Sequence, residues 1–359
     1  MSNNQTNIYS LIPPFILEYI SDDCDIYNNQ YVLKTLDHVY QLMNAPAEEI
    51  FSQQDKQEAK TKADDKLHRT IYDAKNKEDF PGEELSRSEG MPESLDDSVN
   101  EAYEYLGKTH EFYKKVFGRN SLDNKGIRLI ATVHYGKNYL NAFWTRKQMV
   151  FGDGDGKYFN RFTSAIDIIA HELTHGVIES EAGLDYIYQS GALNESIADV
   201  FGIMVKQYVN NQKVDESNWL LGQGLLGPKF NPENKSDVGL RSFINPGSAF
   251  SGDKQVGHMD QYEDLPFFVD NGGVHIYSGI PNKAFYLVAT ELGGYAWEKA
   301  GKIWYETLLD KRLSSDADFE DFAKLTIDNA EKLFDQKTSA IVSRGWKQVG
   351  VLLSKEKLN

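Results

Sequence analysis

Two histidines four residues apart, His171 and His175 in the run His-Glu-Leu-Thr-His, constrain this chain more than any other feature. On a helix, residues four apart stand on one face, so both imidazoles can bind a single metal ion while Glu172 beside them handles protons. An HExxH run on a helix is the signature of a zinc hydrolase. Catalytic zinc takes three protein ligands and leaves one position open, so a second element must deliver a third ligand. Twenty residues after His175 stands Glu195, in Asn194-Glu195-Ser196-Ile197-Ala198-Asp199. Glu195 is the expected third ligand. Asp199, one helical turn later, is placed to accept the outer N–H of His171 and fix its orientation. Two acids on a helix ordinarily make a solvated face. Beside HExxH, and flanked by apolar Leu193, Ile197 and Val200, the metal reading prevails.

Glu172 is the expected general base, taking a proton from zinc-acidified water and passing it to the leaving amine. The oxyanion that forms needs additional donors. His275, in Asp270-Asn271-Gly272-Gly273-Val274-His275, is the best candidate, with Asp270 placed to orient its imidazole and keep it charged. Taken alone, His275 reads more simply as a structural histidine. His38 and His68 fall in or near the leading segment, and His110, His134 and His258 lack a comparable local partner pattern.

The 359 residues are 40% hydrophobic and 12% aromatic, enough to core two domains or more. A formal charge of −16 repels nucleic-acid phosphates and anionic membrane surfaces, so neither is an expected partner. Solubility alone accounts for the acidity. One cysteine, Cys24, excludes an intrachain disulfide. The first residues show no basic region followed by an apolar run of signal-peptide length, and nothing approaches the ~20 apolar residues of a membrane span. The expectation is a protein that stays in the cytoplasm or is secreted by a leaderless route.

Residues 1–50 read as a unit of their own, with helical apolar spacing at Val32, Leu36, Val39 and Leu42. Residues 53–66 are charged and almost without apolar side chains, which suits a linker or exposed helix open to proteolysis. Helical spacing covers 97–117. Strands are expected over 127–133, 139–144 and 148–151, with a Gly-Asp-Gly-Asp-Gly turn at 152–156. Helices are expected over 164–177, 192–209, 280–292, 296–309 and 316–333. Strands early and helices late fit an α+β domain followed by an α domain.

Together, His171-Glu172-Leu173-Thr174-His175, Gly191-Ala192-Leu193-Asn194-Glu195, Asp270-Asn271-Gly272-Gly273-Val274-His275, Asn141-Ala142-Phe143-Trp144 and the 152–156 turn resemble the thermolysin family of zinc endopeptidases. The likeness runs from about His68 to the C-terminus with the motifs in order. The leader with Pro13-Pro14-Phe15-Ile16-Leu17 resembles the protealysin-like subgroup. The resemblance implies a two-domain protease, β-rich first and mainly helical second, with the zinc site between them. The expected division is a propeptide over 1–50, a linker holding or adjoining the processing site over 51–67, and domains over 68–185 and 186–359.

The resemblance also implies roles. His171, His175 and Glu195 bind zinc, Glu172 is the base and Asp199 orients His171. Tyr186 stabilises the tetrahedral intermediate with His275, which Asp270 orients. Asn141 and the backbone of Ala142 hold an extended peptide against an edge strand. Arg241 binds the substrate carbonyl beside the cleaved bond. Phe159, Phe162, Ile168 and Leu240 line an apolar pocket, implying cleavage before Leu, Ile, Phe or Val. The family's paired calcium site is expected to be lost. Asp167 matches one of its acids, but Lys206, Leu220 and Gln223 stand where others belong, and an ammonium repels Ca2+. Lys206 is expected to replace that charge by pairing with Asp167.

On the same ground, residues 1–50 are an intramolecular inhibitor, removed by self-processing somewhere over 43–68, before Ile50, Phe51 or Leu67 or near residues 45–47. Cys24 reads as a small buried hydrophobe. The sharper idea, a thiolate in the open zinc position, suffers from flanking Asp22, Asp23 and Asp25, which raise the thiol pKa. Two alternatives stand beside a protease of polypeptide substrates. A zinc aminopeptidase needs an acidic grip on the substrate amine, and no Gly-x-Met-Glu-Asn-like run is present. A catalytically silent binding homologue is expected to have lost Glu172 or His275.

Overall fold

The computed structural model describes residues 9–23, 26–44 and 66–352. Residues 45–65, with most of the expected linker, and Cys24 lie outside the described residues. The chain forms two compact units, one of residues 1–176 and 224–234, the other of residues 177–223 and 235–359.

The first unit is built on a mixed six-stranded sheet. Its strands are β1 (Tyr9–Ser10), β2 (Arg69–Asp73), β3 (Glu84–Ser88), β4 (Leu129–Val133), β5 (Ala142–Trp144) and β6 (Met149–Phe151), in the order β1-β5-β6-β4-β2-β3. Strands β2, β4 and β6 run parallel to their neighbours in that series, while β1 and β3 add antiparallel edges. The leading segment thus supplies an edge strand and two helices, α1 (Pro14–Asp23) and α2 (Ile26–Asn44). Pro13 has no N–H to give a ladder, and Pro14 suits a first helical position, so the strand stops and the helix starts there.

Helix α3 (Asp97–Phe117) begins where the Asp96 carboxylate accepts the N–H groups of Ser98 and Val99, and ends at Gly118 with φ 71°. Helix α4 (Ile166–Glu181) carries the metal motif. The Tyr113 hydroxyl of α3 lies 2.8 Å from that of Thr174, in the middle of HELTH. Gly176 lets α4 approach the sheet, since a Cβ there would stand 2.9 Å from Leu122 and 3.0 Å from Trp144.

The second unit is mainly helical: α5 (Tyr188–Val209), α6 (Asp270–Tyr277), α7 (Gly279–Leu292), α8 (Ala300–Leu308), α9 (Phe319–Leu333) and α10 (Gln336–Gln348), with a short pair β7 (Leu220–Leu221) and β8 (Arg241–Ser242). Aspartates cap several of these helices. Asp318 and Asp321 form a reciprocal box at α9, and Asp335 caps α10. Trp304, Phe322 and Trp346 knit α8, α9 and α10, with Trp304 and Trp346 stacked 5.9 Å apart. An α+β arrangement with helices late matches the expectation. The expected strand at 139–144 shortens to Ala142–Trp144, and the carbonyls of Tyr139 and Asn141 accept the N–H groups of Gly154 and Gly152 in the following turn. The sequence reading missed β1, β2, β3, β7, β8, α1, α6 and α10.

Candidate active site and family

His171 and His175 point from one face of α4, as their spacing requires. Their Nε2 atoms stand 3.1 Å apart. Two nitrogens each bound at about 2.0–2.1 Å to one tetrahedral zinc ion stand about 3.3 Å apart. The histidine pair therefore fits a shared metal. Their ligand atoms and a carboxylate oxygen of Glu195 all lie within 4.8 Å of one another, and all three side chains are buried. Two imidazoles and one carboxylate are a donor set suited to zinc. Glu172, between the histidines in sequence, is fully buried.

In the second unit, α5 presents Glu195 and Asp199 one turn apart. The Tyr186 hydroxyl donates to Oε1 of Glu195, while Nε2 of His275 stands 3.5 Å from Oε2 and Nη2 of Arg241 3.7 Å from it. Tyr186 and His275 also meet, hydroxyl to Nε2, at 3.3 Å. Gly191 makes this closeness possible. A Cβ there would stand 2.5 Å from Val274 and 2.8 Å from the Tyr186 backbone.

His275 is aimed by unusual backbone. Asp270, Asn271, Gly272 and Gly273 have φ of 50°, 52°, 83° and 87°, a left-handed turn. Such a turn costs roughly 1–2 kcal/mol at an ordinary L-residue, and Gly, Asn and Asp tolerate it best. It folds the Asp270 carboxylate onto its target. One oxygen accepts the His275 N–H at 2.9 Å and the other pairs with Nδ1 at 2.6 Å. Burial works against a charged His275, but Asp270 and then Glu195 outweigh it and hold the imidazole pKa above its ordinary value.

Arg241 is buried, and Asp199 takes its Nη1 at 3.0 Å. The other Asp199 oxygen accepts from Asn282 at 2.8 Å, and Asn282 in turn accepts from Ser196. Burial opposes the guanidinium charge, yet Asp199 and Glu195 raise its pKa. Asn282 escaped the sequence reading, because an asparagine within a helix carries no signal of a partner 83 residues away.

Asn141 and Ala142, expected to hold an extended peptide, hold the protein's own leader. Leu11 N–H donates to Ala142 O at 3.1 Å. Ile12 N–H donates to Oδ1 of Asn141 at 2.9 Å, and Nδ2 of Asn141 donates to Ile12 O at 3.0 Å. Tyr9 pairs with Trp144 and its ring stacks on His175. The only sequence signal for these contacts was apolar Leu11 and Ile12 ahead of the two prolines.

Phe159 and Phe162 are fully buried with centroids 5.5 Å apart, and Ile168 is buried in the same unit. Leu240, beside Arg241, is buried in the other. Lys206 donates to Leu220 O at 2.8 Å and to the Gln223 side chain at 3.4 Å. His134, set aside for want of a local partner, sits between two carboxylates, 2.8 Å from Asp96 and 2.8 Å from Asp153.

Comparison with known proteins fits these parts. Residues 27–179 match the model of the thermolysin metallopeptidase catalytic domain, and residues 182–351 match that of the thermolysin metallopeptidase alpha-helical domain. Protease PrtS of Photorhabdus sp. (strain Az29) is 51% identical over 99% of this chain and 95% of its own. The chain belongs to the thermolysin family of metallopeptidases. The peptidase is also 48% identical to an extracellular metalloprotease of Pectobacterium carotovorum subsp. carotovorum, over 97% of this chain and 98% of that one. Among solved structures it resembles the precursor of protealysin, a metalloproteinase from Serratia proteamaculans. That likeness has a TM-score of 0.86 and 48% identity, covering 96% of this chain and 100% of the other. The peptidase is thus a thermolysin-like metalloendopeptidase of protealysin-like type. No helix among the described residues is long and apolar enough to cross a membrane.

Proposed function

We propose that this metalloendopeptidase uses one zinc ion, held by His171, His175 and Glu195, to cut polypeptides before bulky hydrophobic residues. The grouping of those three ligand atoms within 4.8 Å carries the reading. Zinc, when bound, supplies a positive charge that acidifies water and polarises a carbonyl. Glu172 takes the water proton and delivers it to the leaving amine. Tyr186 and the charged His275 receive the negative charge that develops on the carbonyl oxygen. Their 3.3 Å approach and the Asp270 brace on the far side of the imidazole favour that role. Asp199 holds Arg241, which binds the neighbouring substrate carbonyl, and orienting His171 remains the further role expected of it. Asn141, with its amide donor and acceptor both turned to an extended chain, positions substrate as it positions Ile12. Phe159, Phe162, Ile168 and Leu240 favour Leu, Ile, Phe or Val after the cut bond.

The leader acts as an inhibitor until removed. Its strand uses the Asn141 and Ala142 groups that substrate needs, so both cannot bind at once. Self-processing over 43–68 and secretion by a leaderless route, rather than a cytoplasmic role, complete this reading. The protein's likeness to an extracellular metalloprotease supports the second point.

The test is hydrolysis of furylacryloyl-Gly-Leu-amide by the processed enzyme, with and without a zinc chelator. The expected result is hydrolysis that chelation abolishes and zinc restores, and that Glu172→Gln lowers by about 10²–10⁴-fold with zinc content unchanged. Hydrolysis indifferent to chelation overturns the proposal. Activity confined to unblocked amino termini favours the aminopeptidase alternative.

A further inference from the structure

Helix α2 packs on the rest of the first unit through Thr35, His38 and Leu42, residues that share one helical face. The Thr35 hydroxyl accepts the N–H of Leu140 at 3.3 Å. Leu42 packs with Tyr135, Tyr139, Phe143 and Val150, and Phe80 closes the edge of that cluster. His38 enters the same cluster. Its ring centroid lies 5.8 Å from that of Tyr135, 5.6 Å from Tyr139 and 5.5 Å from Phe143. Nδ1 stands 2.7 Å from the Tyr139 hydroxyl and Nε2 3.5 Å from that of Tyr135. Among the described residues its hydrogen-bond partners are both phenols, a setting that holds the imidazole as the neutral base. Burial holds the Tyr139 phenol pKa well above its ordinary value, so that hydroxyl keeps its proton to donate.

Among the described residues, the charges around His38 do not build it a counter-ion. On its own helix stand Lys34 and Asp37. From the loop after β2 comes Glu78, which is already paired with Lys34. On the loop bearing Tyr135 and Tyr139, Lys137 lies over the Tyr31 ring of α2 at 5.9 Å. Burial lowers the His38 pKa, against the weaker opposing pulls of Glu78 and Asp37, with Lys34 reinforcing the fall.

We infer that His38 makes docking of the leading segment pH-sensitive: neutral His38 fits the aromatic cluster, and protonated His38 loosens α2 and, with it, strand β1 from β5. This rests on the reading that the leader covers the site. The undocked histidine titrates near ~6.5, and docking prefers the deprotonated form. Docking is therefore complete above that pH. It weakens as pH falls, by at most about tenfold per unit, until the docked histidine itself titrates.

The experiment uses full-length precursor carrying Glu172→Ala, which cannot process itself. Amide exchange at residues 142–144 is measured at pH 7.5 and 5.5 and corrected for intrinsic rates. The expected result is an opening up to about tenfold more frequent at pH 5.5, one unit below the free histidine value. In His38→Phe and His38→Gln precursors the two pH values should agree within about twofold. Two variants are used because either replacement alone can disturb packing. Opening that does not change with pH, or a pH effect that persists in a folded His38 variant, overturns the inference. Wild-type precursor that hydrolyses the blocked peptide at pH 7.5 as fast as processed enzyme instead overturns the covering reading on which it rests.

Discussion

The phenol ring of Tyr9 lies flat on the imidazole of His175, with centroids 4.4 Å apart and planes 7° from parallel. Tyr9 belongs to the leader, and His175 to the metal motif. The contact ties the leader's strand to the helix bearing the metal motif, and so does more than close a sheet edge.

Replacing Tyr9 with alanine in the precursor removes that stack and leaves the Leu11 and Ile12 hydrogen bonds in place. An aromatic pair contributes about 0.5–1.5 kcal/mol beyond its area, so with the buried area lost as well the open fraction should rise by at least about twofold to tenfold. The initial rate of peptide hydrolysis by fresh precursor reads this directly. Tyr9→Phe should stay near wild type. An unchanged rate for Tyr9→Ala would mean the strand hydrogen bonds hold the leader alone.

Asp270→Asn should leave His275 in place but without its anionic partner. The carboxylate raises the His275 pKa, so its loss lowers it, and the charged imidazole disappears at a lower pH. The alkaline limb of kcat/KM should therefore shift to lower pH. At neutral pH kcat should fall by about 10²-fold with little change in KM, as for a lost oxyanion donor. A larger effect on KM than on kcat would place His275 in substrate binding.

His134 bridges the cap of α3 and the 152–156 turn, and its carboxylate partners raise its pKa to about 9, the hydrogen bond to Asp153 leading. The folded value lies above the unfolded one near ~6.5. Its contribution is fully present below the unfolded value and is lost as pH rises through about 9. The melting temperature of Glu172→Ala protein should thus fall between pH 6.5 and 9.5 more than that of the same protein with His134→Asn. With solvent screening the difference should be on the order of 1 kcal/mol. Parallel curves for the two proteins would remove His134 from the account.

Lys206 satisfies the Leu220 carbonyl with an ammonium where the family's calcium ligands are expected. Lys206→Ala leaves that buried acceptor without this donor, at a cost of about 1–3 kcal/mol, and should lower the melting temperature. Calcium or a calcium-selective chelator should leave the wild-type melting temperature unchanged. Plasma emission analysis should find zinc without stoichiometric calcium. Two calcium ions per zinc would contradict the role given to Lys206.

Much of the site was legible in the sequence because its parts are local. Four-residue spacing puts His171 with His175, and Glu195 with Asp199, on single helical faces whatever the rest of the fold does. The Asn-Gly-Gly turn is equally local. Its left-handed backbone needs those residue types, and it alone brings Asp270 onto His275. Helix α3 was readable to its ends because its apolar period, its Asp96 cap and Gly118 lie within one short window.

Tertiary structure decided what reaches each of these local pieces. Strand β1 is two residues long, too short for any periodicity, and it pairs with residues more than 130 positions away. Nothing near Asn141 says that Ile12 will take its amide. His134 showed no partner in its own segment because Asp96 and Asp153 arrive from a helix cap and a distant turn. His38 looked like one polar position on an amphipathic helix until the fold set Tyr135, Tyr139 and Phe143 around it. The sequence by itself determined which side chains share a helix face, since the α-helical period fixes that. Only the folded chain decided which hydrogen bonds and aromatic contacts close across it, because those depend on segments far apart in the sequence.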